Sequence, residues 1–206
     1  TWPGEVRHWV KTSGTTAGDK LIPVTREALA AHRQGGWDAL LLAVERVGAE
    51  PLLGGPMLFL GGSTSLHRVG ARGLVGDLSG LTVRRLPPFL RGRYAPGPAA
   101  AIPDWETRIE AIGRQAAQQD IRLLAGMPSW MFVLFERVAR ARQLQGRPIR
   151  DMLHCWPNLR IFIHGGVSFG PYAGVFGEWL GRPLERLEVL SPLQAVVATI
   201  TSDADD

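Results

Sequence analysis

Ile121-Arg122-Leu123-Leu124-Ala125-Gly126-Met127-Pro128-Ser129-Trp130-Met131-Phe132-Val133-Leu134-Phe135 decides the fold. Its first five residues form a short apolar run of strand length, and Pro128 falls where a helix begins. Met131, Leu134, Phe135 and Val138 then recur at helical spacing until Gly146, so the stretch predicts a buried strand leading into an amphipathic helix. Helices and strands alternate on both sides. Asp104 is a good N-cap for a helix carrying Trp105, Ile109, Ile112 and Ala116 on one face. Downstream, Leu159 to Ile163 reads as a strand closed by His164-Gly165-Gly166, Tyr172 to Leu180 as a helix, and Leu187 to Leu190 and Val196 to Ile200 as strands. Upstream, Glu5 to Val10 and Leu21 to Val24 read as extended. Thr25 caps a helix with Trp37, Leu40, Leu41 and Val44 in its stripe, which ends at Gly48. Pro56 to Leu60 is a strand, Leu81 to Leu86 a further extended segment, and Ala95 to Pro103 a Pro/Ala linker. This alternation predicts an α/β fold with layered helices and a mixed, mostly parallel sheet, which binds ligands beyond the carboxyl ends of its strands.

Composition narrows the function classes. The 206 residues are 45% apolar and 20% charged, within the range of folded domains and enough for one core. Twenty-three basic against 19 acidic residues leave a net charge of +4. The basic residues are scattered rather than in runs, which argues against nucleic-acid and polybasic membrane partners. No apolar run reaches the roughly 18–20 residues that a membrane helix needs. A single cysteine, Cys155, removes any disulfide framework and reads as a small core hydrophobe. The N-terminal Thr1-Trp2-Pro3-Gly4 lacks both a starting Met and an export signal. The reading is therefore a cytoplasmic chain that forms part of a longer protein.

Thr12-Ser13-Gly14-Thr15-Thr16-Ala17-Gly18-Asp19-Lys20 carries the strongest chemistry. Glycines at 14 and 18 let backbone amides crowd together, while four hydroxyls and one ammonium donate to phosphate oxygens. A phosphate cradle and a plain surface turn both fit this composition; the Walker pattern does not. His164 fits a structural imidazole better than a general base, because no nucleophile and orienting acid accompany it. Trp130 is a candidate pocket residue, and Arg84, Arg85, Arg91 and Arg93 read as a solvated face.

These blocks resemble one family. Thr12 to Gly18 with Lys20-Leu21-Ile22-Pro23, then Gly61-Gly62-Ser63-Thr64-Ser65, Gly76-Asp77-Leu78-Ser79-Gly80, Gly126-Met127-Pro128-Ser129-Trp130, and Trp156-Pro157-Asn158-Leu159 through Gly165-Gly166-Val167 follow the order of the auxin-responsive promoter (Gretchen Hagen) family of acyl acid amido synthetases, adenylate-forming enzymes. The resemblance implies that residues 1–206 are part of the N-terminal adenylation domain, with the C-terminal domain absent. It implies ATP and Mg²⁺, activation of a small carboxylic acid as its adenylate, and transfer to an amine such as an amino acid. Thr12, Ser13, Gly14, Thr15, Thr16, Gly18 and Lys20 would then meet the phosphates. Gly165, Gly166 and Val167 would let adenine or the acyl group approach the backbone, and Ser63, Thr64 and Trp130 would line the acid site. Where similar enzymes carry a Tyr-x-Ser-Ser/Thr-Glu motif, this sequence reads Leu190-Ser191-Pro192-Leu193-Gln194, and Gln194 takes the place of the metal-holding Glu. A non-catalytic scaffold that keeps the fold and binds a nucleotide or a partner is the alternative.

Overall fold

The computed structural model describes residues 6–12, 20–70, 73–190 and 197–199. Strands β1 (His8–Thr12) and β2 (Lys20–Val24) form an antiparallel hairpin closed by the Thr12–Lys20 pair. Helix α1 (Arg26–Val47) starts where the Thr25 hydroxyl accepts the Ala28 N–H at 3.1 Å, and it stops at Gly48. It buries Leu29, Gly35, Ala39 and Ala43, whereas Leu41, expected in the stripe, is 62% exposed. Against the larger sheet the fully buried residues are the small Ala39 and Ala43, and the larger Trp37, Leu40, Leu42 and Val44 pack partly buried around them.

Helix α2 (Ala49–Leu53) leads to β3 (Met57–Leu60), and β4 (Leu66–Val69) and β5 (Gly73–Gly76) form a second hairpin. The expected extended segment Leu81 to Leu86 is replaced by helix α3 (Leu78–Val83). Leu78 and Leu81, three residues apart, turn inward together onto Val10, Val24 and Leu29, and this tertiary cluster outweighs the β-branched Thr82-Val83 pair. A short helix α4 (Pro88–Arg91) precedes the expected Ala95 to Pro103 linker, within which lies a 3₁₀ turn, Gly97–Ala101.

Helix α5 (Trp105–Ala116) is capped by the Asp104 carboxylate, which accepts the Thr107 N–H at 2.8 Å. Strand β6 (Leu123–Gly126) and helix α6 (Pro128–Leu144) follow as the opening stretch requires, with Met131, Leu134, Phe135 and Val138 buried. Helix α7 (Met152–Cys155), β7 (Ile161–His164), a 3₁₀ turn at Gly170–Tyr172, α8 (Ala173–Leu180), β8 (Glu185–Leu190) and β9 (Val197–Thr199) complete the described chain.

The larger sheet runs β3-β6-β7-β8-β9; its first four strands are parallel and β9 is antiparallel at the edge. Met57, Leu123, Ile161 and Leu187 point to one face and pack on Ala39 and Ala43 of α1. Leu58, Leu124 and Phe162 alternate to the other face, against α5, α6 and α8. Three layers result, with the sheet buried on both sides, which explains why its strands read as continuous apolar runs. The smaller sheet, β2-β1-β5-β4, pairs β1 parallel to β5 and is otherwise antiparallel.

Candidate functional site: the carboxyl edge of the parallel sheet

The parallel register aligns Leu60, Gly126, His164 and Glu188 as the last rung across β3, β6, β7 and β8. Beyond that rung the chain continues as Gly61-Gly62-Ser63-Thr64 after β3, Met127 to Trp130 after β6 and Gly165-Gly166-Val167 after β7. The Ser63, Thr64, Trp130 and Gly165–Val167 candidates therefore share one edge. A Cβ on Gly165 would lie 2.3 Å from the Val189 carbonyl oxygen, and Gly166 has φ +85°, so both positions require glycine.

Ser63 is held from several sides. Its N–H donates to the Asp77 carboxylate at 2.6 Å, its hydroxyl accepts the Ser65 N–H at 3.1 Å, and its carbonyl accepts the Ser79 hydroxyl at 3.3 Å. The Thr64 N–H donates to the Ala100 carbonyl at 2.8 Å. Asp77 also joins the two sheets. It follows Gly76, the register partner of Val10 in β1, so the carboxyl end of β1, where Thr12 leads into the hydroxyl-rich loop, lies beside the strand that leads into Asp77. Thr12 and Lys20 stand at the mouth of the first hairpin. Ser13, Gly14, Thr15, Thr16, Gly18 and Gln194 lie outside the described residues.

A charge-assisted bond of this kind contributes about 1.5–3 kcal/mol. Asp77→Ala is expected to lower the unfolding free energy by that amount in urea titrations, and Asp77→Asn, which keeps an acceptor, by about half as much. Equal stability of all three proteins would show that the turn does not depend on the carboxylate.

Trp130 is half-buried, with its ring 4.9 Å from that of Trp105, and the Arg108 guanidinium lies 5.3 Å from the Trp105 ring centroid. Arg108 is 6% exposed and donates to the Ile102 and Pro103 carbonyls at 2.8 and 3.0 Å. Burial lowers its pKa, while Asp77, Asp104 and Tyr94 oppose that shift. Burial also pushes the Tyr94 hydroxyl up to about 12. Neither Asp77 nor Arg108 was singled out from sequence. Asp77 has a legible signal as the acidic residue before α3; Arg108 sits in the apolar stripe of α5, where an isolated charge is the only cue.

His164 is buried as a structural imidazole should be, between the rings of Phe162 at 5.3 Å and Phe169 at 4.8 Å. The hydrogen bond expected of such a ring is not found at Nδ1, which has no partner among the described residues. Burial holds its pKa below the ordinary value, with Glu188 pulling it up and Arg186 pushing it down, so the ring is neutral at pH 7. Cys155 is buried and burial raises its thiol pKa, in keeping with a core residue. Arg84, Arg85 and Arg91 are exposed, as expected of a solvated face, and Arg93 is half-buried; Arg91 also donates to the Leu86 and Arg84 carbonyls, and Arg93 to those of Leu53 and Phe89.

Among the described residues no three His, Cys, Asp or Glu side chains converge as a metal site. No described helix is long and apolar enough to cross a membrane.

The architecture is α/β, with two sheets and with the turns after β3, β6 and β7 gathered beyond the carboxyl ends of parallel strands. Searches against family models and curated proteins find no match. Among solved structures, the chain is similar to the AtGH3.15 acyl acid amido synthetase in complex with 2,4-DB, with TM-score 0.61 and 13% identity over 95% of this chain and 45% of that one. A second structure of GH3.15 acyl acid amido synthetase gives TM-score 0.59 and 12% identity over 95% and 44% of the two chains. The protein thus shares the fold of these synthetases, and it spans less than half of their length.

Proposed function

We propose that this chain belongs to an enzyme that activates a small carboxylic acid with ATP and passes the acyl group to an amine; the solved structures that share its fold are named acyl acid amido synthetases. The observation that carries this reading is the carboxyl edge itself. The glycine turn after β7 and the Ser63 turn lie at one end of the larger sheet, and Asp77 ties the Ser63 turn to the end of β5, which runs beside β1 and the mouth of the hydroxyl-rich hairpin. In the first step a carboxylate oxygen of the acid attacks the α-phosphorus of ATP, and the bond to the β-phosphate oxygen breaks, releasing pyrophosphate. In the second, the amine nitrogen attacks the acyl carbon, its proton leaves, and AMP departs.

Charge builds on the leaving pyrophosphate in the first step and needs preorganised donors. Thr12, Ser13, Thr15, Thr16 and Lys20 supply them in this reading, with Gly14 and Gly18 allowing the backbone to close around the phosphates. Gly165, Gly166 and Val167 present bare backbone to the nucleotide or acyl group. Ser63 and Thr64 shape the acid site and Trp130 provides an apolar wall. Mg²⁺, when bound, would neutralise phosphate charge, and Gln194 would offer it a neutral carbonyl.

The test is acid-dependent exchange of labelled pyrophosphate into ATP by the natural full-length protein across a broad panel of carboxylic acids. Exchange is expected, and it should fall about 10²–10³-fold in the Thr15→Ala/Thr16→Ala double variant. No exchange with any acid overturns the reading. A second reading, a nucleotide-binding protein without turnover, is favoured by Gln194 standing where similar enzymes carry Glu. It requires micromolar ATP binding by calorimetry without exchange, and recovery of exchange in Gln194→Glu would identify the lesion.

A further inference from the structure

A cavity of about 430 Å³ opens between α8 and the larger sheet, beside the connection that carries the chain from α8 into β8. Its volume falls within the roughly 300–1,000 Å³ of small-molecule sites. Phe162, Phe169, Phe176 and Leu180 form its apolar wall. The rings brace one another: Phe162 stacks on Phe176 at 4.9 Å, and Phe169 meets Phe176 edge-on at 5.1 Å. Ala173 and Gly177, four residues apart on one face of α8, line the same hollow, and their small size leaves it open.

The polar content of the lining narrows the ligand. Among the described residues, none of the buried side-chain nitrogens and oxygens that lack a partner belongs to a residue of this cavity. Arg186 lines it but is already engaged, its guanidinium lying over the Phe169 ring, 4.2 Å from the centroid. Arg182 is exposed, where water screens its charge. A carboxylate or phosphate would therefore leave water without gaining a buried counter-charge. An uncharged ring loses little on entry and meets phenylalanine faces and edges, the arrangement that aromatic pairs favour. Beside Phe169 it also meets the cation that already covers that ring.

We propose that this cavity binds an uncharged, planar aromatic compound of two fused rings. An apolar cavity of roughly 150 Å³ holds benzene, so this larger hollow has room for a second ring. The rings pack among Phe162, Phe169 and Phe176, and a hydroxyl substituent stays at the open mouth in water. A saturated hydrocarbon of the same outline fills the space but forgoes the ring–ring and cation–π contacts. The inference stands apart from the proposed reaction. Its ligand is neither the acid nor the amine, and none of the residues assigned to the phosphates, the acid site or the glycine turn lines the cavity.

Calorimetric titration of the full-length protein with 2-naphthol tests the proposal. Binding is expected, at least 5-fold tighter than for decahydro-2-naphthol, its saturated counterpart, and no weaker than for naphthalene-2-sulfonate, which carries the same rings and a negative charge. Gly177 lines the cavity and a Cβ there meets nothing within 4 Å, so Gly177→Leu fills the space without a backbone clash and should abolish the heat while the protein melts no lower than before. Ala173→Leu, one turn earlier on the same face, is a second block of the same space. No binding of 2-naphthol, binding undiminished in both filled variants, equal affinity for the saturated alcohol, or tighter binding of the sulfonate each overturns the proposal. Pyrophosphate exchange without 2-naphthol binding would defeat this inference alone. Binding of 2-naphthol without exchange would defeat only the proposed reaction.

Discussion

Trp156→Ala is expected to lower the unfolding free energy by about 3–5 kcal/mol, the range for emptying a large aromatic site in a close-packed core. Trp156 is fully buried, meets Phe135 edge-on at 6.1 Å, and donates its indole N–H to the Ala116 carbonyl at 3.0 Å. The substitution removes the ring contacts, opens a cavity beside α5 and leaves the Ala116 carbonyl without its partner. For a chain of this size the loss corresponds to a melting temperature lower by about 6–20 °C. Trp156→Phe separates the contributions: it keeps an aromatic group against Phe135 and loses the hydrogen bond, at about 1–3 kcal/mol. Guanidinium titrations monitored by circular dichroism measure both. A cost below 1 kcal/mol for the alanine variant would mean that the α5, α6 and α8 layer does not depend on this ring.

Gly165→Ala is expected to act on stability and on nucleotide affinity together. The new methyl would lie 2.3 Å from the Val189 carbonyl oxygen, a backbone atom unable to rotate away, so β7 and β8 must part at the carboxyl edge. Overpacking of this kind costs about 1–3 kcal/mol. Under the proposed function the turn that meets the nucleotide moves with it, and ATP affinity measured by calorimetry should fall at least 10-fold. Gly177→Ala is the matched control. It lies within α8 with open space around it, and helix propensity favours alanine there by about 0.5–1 kcal/mol. If Gly165→Ala were as stable as the control and bound ATP equally well, the carboxyl edge would not be the nucleotide site.

Much of the layer order was legible because it rests on short-range periodicity. Thr25 and Asp104 cap helices in the structure as their side-chain chemistry requires, and Ile109, Ile112, Met131, Leu134, Phe135 and Val138 are buried as their spacing implies. The failures share a cause: neighbours distant in the chain. Leu81 to Leu86 alternates well enough to read as a strand, yet Leu78 and Leu81 find Val10, Val24 and Leu29 and settle as a helix. Leu41 fits a stripe on a helical wheel, but the helix turns its alanines toward the sheet. The β4–β5 hairpin hid in a glycine-rich stretch because its pairing with β1 is remote in sequence.

At the candidate site the same division holds. The glycine, serine and threonine turns were visible as composition, whereas Asp77 as their anchor and Arg108 as a buried cation were not. An N-cap aspartate normally serves its own helix, yet here the carboxylate accepts the Ser63 N–H, fourteen residues upstream.

Local sequence alone determined where α1, α5 and α6 begin and which of their faces are apolar, since capping, proline placement and apolar period act within a few residues of one another; α3 and the β4–β5 hairpin lay beyond it. Only the tertiary structure decided that the turns after β3, β6 and β7 meet at one edge, that a second sheet reaches the Ser63 turn through Asp77, and that Phe162 and Arg186 line one apolar cavity. Parallel strands cannot pair with their sequence neighbours through a tight turn, so the juxtapositions that make a site come from long-range register.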